Sequence, residues 1–109
     1  MQIQVNTDRH VAGHEALAQR VCGDVANALD RFAEHITRVE VHLSDENGDR
    51  DAGADKRCMM EARFKGRQPI AVTELAASLD QAVSGAADKL ARLIETTRGR
   101  SGQFERTKI

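Results

Sequence analysis

Two histidines, His10 and His14, stand four residues apart, a spacing that lets a helix offer two imidazoles to one metal ion. The stretch HVAGH lacks the Glu that would complete a zinc-hydrolase motif, and no third ligand is evident, so no bound metal is expected. Asp45, Asn47 and Asp49 imitate the first ligands of a calcium loop. Arg50 then stands where the turn glycine belongs and Lys56 where the closing Glu belongs, which leaves a solvated acidic loop. Cys22 and Cys58 form no CxxC pair and read as small, reduced core residues. GxSxG, GxxxxGK[ST] and GxGxxG are all absent, and no nucleophile is paired with a base. Neither catalysis nor a cofactor is expected.

Cations carry the constructive signal. Residues 1–54 hold five Arg against ten Asp and Glu, a net of −5, whereas residues 55–109 hold eleven Lys and Arg against seven acids, a net of +4. Arg57, Arg63 and Lys65 fall on the wet register of one strand, with Arg67 in the turn after it. Lys89 and Arg92 lie i, i+3 on the polar side of a helix, and Arg98 and Arg100 follow at its end. Such a set neutralises phosphates without reading base sequence. The competing reading is ordinary solvated charge, since Asp88 and Arg92 form the i, i+4 pair that exposed helices carry routinely. With three Phe and no Trp or Tyr, stacking on bases is not the main device.

Those residues need elements to position them. A chain of 109 residues, 40% hydrophobic and 30% charged, is long enough for one domain and one core. Nothing approaches eighteen consecutive apolar residues, and the opening Met-Gln-Ile-Gln-Val alternates like a strand rather than a secretory leader, so the expected location is cytoplasmic. Ile3 and Val5 alternate with polar residues as a strand with one wet face. From His14, Leu17, Val21, Val25, Leu29, Phe32 and Ile36 recur at three and four, predicting a helix of about twenty residues. Val39, Val41 and Leu43 restore period two. After an acidic loop over residues 44–55, Cys58, Met60, Ala62 and Phe64 point inward from a second strand of this group. Residues 65–68 (KGRQ) form a hairpin turn, and Ile70 and Val72 continue as a strand that begins at Pro69. Ser78 and Gln81 fit a capping box ahead of a second stripe through Leu79, Val83, Ala86, Leu90, Leu93 and Ile94, with Gly99 as its stop. The expected fold is a two-layer α+β domain over residues 1–98. Its order is β-α-β-β-β-α, with two helices on one face of a four-stranded sheet and a flexible tail over 99–109.

That order, with the passages MQIQV, HITRVEVHL and LDQAVSGAADKLARLIE, resembles the ribosome hibernation promoting factor and ribosome-associated inhibitor A family, also called the sigma-factor modulation family. The likeness covers about residues 1–100 and is sharpest at DKLAR, residues 88–92. It implies binding to the small ribosomal subunit, against ribosomal RNA, where messenger and transfer RNA sit, and silencing of translation under stress or in stationary phase. No chemistry and no cofactor is implied. Lys89, Arg92, Arg98 and Arg100 match the family's basic second helix. The first helix offers only Arg20 and Arg31, and Asp80 stands where the family usually has Tyr. The alternative is a protein-interaction module that uses an open sheet face or a free edge strand, without RNA contact.

Overall fold

Alternation makes the strands and threefold-to-fourfold spacing makes the helices. A computed structural model describes residues 1–8, 14–45 and 56–108, the side chains of residue 14 and residues 98–108 excepted. It contains β1 (Gln2–Thr7), α1 (His14–Leu29), β2 (Ile36–Asp45), β3 (Lys56–Phe64), β4 (Arg67–Ala76) and α2 (Leu79–Lys108). Strand order is β1-β2-β3-β4, with β1 parallel to β2 and the remaining pairs antiparallel. A parallel pair needs a crossover, and α1 supplies it. Two-layer packing follows because each strand buries one side only. Ile3 and Val5 of β1, Val39, Val41 and Leu43 of β2, Cys58, Met60 and Ala62 of β3, and Ile70 and Val72 of β4 all pack towards the helices.

Leu17, Val21, Val25 and Leu29 of α1 are buried against Val83, Ala86, Leu90 and Ile94 of α2 and the inner sheet face. Full burial of each larger aliphatic side chain is worth roughly 1.5–3 kcal/mol. The first stripe runs beyond its helix. α1 stops at Leu29, Phe32 lies in a 3-10 turn over Asp30–Phe32, and Ile36 opens β2. Ile36 and Val39 are both buried although an odd number of residues apart, which a regular strand forbids. The register shift between Ile36 and Arg38 absorbs the extra step.

The β3–β4 turn is tighter than the four-residue expectation. Only Lys65 and Gly66 lie between the strands, with Gly66 at φ 73°, a left-handed conformation that costs an L side chain energy. Pro69 sits inside β4, an edge strand, where a missing N–H is tolerated. Ser78 caps α2: its Oγ accepts from the Gln81 N–H at 3.1 Å. Gly99 does not end that helix, whose backbone continues to Lys108. One glycine costs a helix only about 1 kcal/mol, and the Arg, Gln and Glu around it favour helix.

Candidate nucleic-acid interface

Helix α2 lies over β3 and β4 and sets the basic residues on the β4 side of the molecule. Lys89 leans over the sheet edge. Its Nζ is 2.9 Å from Glu74 Oε1 and donates to the Thr73 carbonyl at 3.1 Å. Glu74 can reach this position because residue 85 is glycine: a Cβ there would lie 2.8 Å from Glu74 Cγ and 2.9 Å from its Cδ. Arg92, one turn along, stands 77% exposed with its guanidinium 2.7 Å from Asp88 Oδ2. Arg98 and Arg100 continue on the backbone of α2, and their side chains lie outside the described residues.

The hairpin brings a second group together. Arg63 projects from the open face of the sheet, 3.1 Å from Glu40 on β2 and 3.0 Å from Glu61 on its own strand. Lys65 is exposed in the turn and Arg67 is exposed at the start of β4. Arg57 is separate, at the far end of β3, where it lines a shallow depression of about 270 Å³ with Asn6, Asp8, His42 and Ser44. The eight basic positions singled out in the sequence therefore do not form one patch. Lys89 and Arg92 on the helix layer and Arg63, Lys65 and Arg67 at the hairpin flank β4 from two sides, and Arg57 stands apart from both.

Arg38 was missed. It shares the open face with Arg63, and its Nε sits buried, without a hydrogen-bond partner, 3.9 Å from Glu40. Its place on the polar register of β2 was legible, but nothing local ties it to a residue on β3. The cations of α1 and of the 3-10 turn after it reach across to α2 at the surface: Arg20 meets Asp80 at 3.1 Å and Arg31 meets Glu95 at 3.2 Å. The pairs of Lys89, Arg92, Arg20 and Arg31 are partly or largely solvated, so each is worth about 0–1 kcal/mol and is exchangeable for a phosphate contact, whereas Glu40, only 17% exposed, holds Arg38 and Arg63 less openly.

The cysteines and histidines behave otherwise. Burial pushes the Cys58 thiol up to about 12, the neighbouring Arg57 opposing the shift, so it is an inert core group. Cys22 is half-buried. His10, Asn47 and Asp49, and the side chain of His14, lie outside the described residues. Among the described residues no three His, Cys, Asp or Glu come together as metal ligands.

No curated protein sequence matches this chain at a significant level. Among solved structures, the N-terminal domain of Thermus thermophilus Protein Y is similar at a TM-score of 0.69 and 24% identity, over 89% of this chain and 99% of that one. A ribosomal subunit interface protein from Coxiella burnetii is similar at a TM-score of 0.67 and 15% identity, over 91% of this chain and 99% of that one. At such identities the likeness speaks for the fold. The sequence pattern of one family matches residues 4–101, nearly the whole chain, and by that match the protein belongs to the sigma 54 modulation protein / S30EA ribosomal protein family.

Proposed function

We propose that this protein silences translation by occupying the small ribosomal subunit where messenger and transfer RNA would otherwise sit, with its basic β4 side against ribosomal RNA. Its family is one of ribosome-associated modulation factors, which are not enzymes. The family match across residues 4–101 is the observation that carries the reading. The exposed, exchangeable pairs of Lys89 and Arg92 support the choice of side. Occupancy needs only a rigid shape and phosphate contacts. Such work belongs in the cytoplasm, and among the described residues no helix is long and apolar enough to cross a membrane.

The test is co-sedimentation with small subunits in a sucrose gradient at two salt concentrations. If four cations each meet a phosphate, a fourfold rise in salt lowers affinity about a hundredfold. The double variant Lys89→Glu, Arg92→Glu should keep its fold and lose binding. Binding equal to the parent's would refute the proposed surface.

A further inference from the structure

β4 is a ten-residue strand at the edge of the sheet. Exposed backbone at such an edge is a template for another strand. The Lys89 contact shows which residues present it. The Thr73 carbonyl accepts from Lys89, so it points away from β3. In an antiparallel strand the N–H and C=O of one residue point the same way and alternate residues repeat, so Ala71 and Leu75 are outward too. Their side chains lie on the open face, opposite the helices, and Leu75 is 52% exposed.

Two copies of this edge fit each other about a twofold axis through Thr73. Thr73 then faces Thr73 of the second copy, and Ala71 faces its Leu75. Each facing pair is of the kind that exchanges both backbone hydrogen bonds. On the open face the exposed Leu75 gains an apolar neighbour. On the helix side Glu74 of each copy comes beside the Lys89 region of the other, so charge is complementary as well. One group stands in the way: Lys89, held by Glu74 in the space that Gly85 leaves, occupies the central carbonyl.

We propose that β4 is a self-pairing edge for a second copy of this chain, and that Lys89 is the guard that keeps it closed. The inference is independent of ribosome binding and is tested on nucleic-acid-free protein. Sedimentation velocity across a concentration series compares the parent with Lys89→Gln, and Thr73→Cys is placed in both backgrounds so that a short bis-maleimide, which spans the wide side-chain separation of a hydrogen-bonded pair, can join the two copies at position 73. Removing the guard should tighten dimerisation at least tenfold, by freeing one acceptor in each copy that pairing would otherwise have to reclaim. The thiol introduced by Thr73→Cys should then cross-link readily in the Lys89→Gln background and poorly with Lys89 intact. The proposal is overturned if Lys89→Gln sediments like the parent at every concentration. It is equally overturned if the dimer it forms is not joined through position 73, which would point to the β1 edge or the open face.

Discussion

Two helical glycines offer a measurement of how tightly Glu74 is seated. Gly23 is exposed in the middle of α1, and a Cβ there meets nothing within 4 Å. Gly85 lies inside α2, and a Cβ there would press on the Glu74 side chain, 2.8 Å from Cγ and 2.9 Å from Cδ. Replacing either glycine by alanine brings the same intrinsic gain, about 0.8–1.0 kcal/mol. At Gly23 nothing opposes it, so Gly23→Ala should raise Tm by roughly 4–8 °C for a domain of this size. At Gly85 the gain is opposed. Glu74 must leave, losing a partly exposed ion pair worth about 0–1 kcal/mol, or stay in a poor rotamer at about 0.5–1.5 kcal/mol. Gly85→Ala is therefore expected to stabilise less than Gly23→Ala does. Adding Gly85→Ala to a Glu74→Ala background should recover the full gain of about 1 kcal/mol, because the obstructing side chain is gone. Reversible thermal and urea unfolding followed by circular dichroism reads all four variants. If Gly85→Ala stabilises as much as Gly23→Ala while Glu74 is present, Glu74 does not occupy that space, and the held position of Lys89 falls with it.

Two further substitutions test the turn and the core. Gly66→Ala should cost about 1–2 kcal/mol in urea unfolding, because φ of 73° places a Cβ against the backbone, and Gly66→Asn should cost less. Cys58 sets an alkaline limit. Its folded thiol is raised from 9.0 to about 12, so the unfolded chain releases that proton first. Its contribution to stability is complete below pH 9 and is lost as pH rises from 9 towards 12, with a limiting slope of about 1.4 kcal/mol per pH unit. Cys58→Ala should flatten that part of the pH profile. An unchanged slope would mean that the thiol does not stay protonated in the fold.

Much of the architecture could be read from the chain because burial imposes periods that local sequence shows. Leu17, Val21, Val25 and Leu29 had to share a helix face, and Val39, Val41 and Leu43 a strand face, and all are buried. Ser78 could be recognised as a cap because capping acts over three residues. Ile36 illustrates the limit. Its spacing continued the helical stripe, yet a register shift placed it at the start of a strand, and such shifts are set by pairing with a distant segment. The same reason hid the state of the cations. Glu40 reaches Arg63, and Glu74 reaches Lys89, only because strand order and helix placement bring distant segments together. From sequence these residues were a list of charges; in the fold Arg63, Lys89 and Arg92 all hold carboxylates.

That pairing bears on how a chain with a net charge of −1 could approach RNA. Uniform charge of that size would give no attraction, so orientation has to come from the arrangement. α1, which packs over β1, exposes Glu15 and Asp24, and the turn after it exposes Asp30 and Glu34, against Arg20 and Arg31. The β4 side exposes Lys65, Arg67, Lys89 and Arg92 around Glu74 and Asp88. Among the described residues one flank is acidic and the other basic, a distribution that would turn the basic flank towards a polyanion before contact. On contact each solvated pair gives up about 0–1 kcal/mol, a small loss beside the counterions released for every phosphate met. Carboxylate partners on the basic flank are thus compatible with the proposed phosphate binding: they hold the long side chains in place, where a phosphate would replace them. On the proposed function the protein must bind one way round, and this charge gradient would select that orientation without any sequence-specific contact.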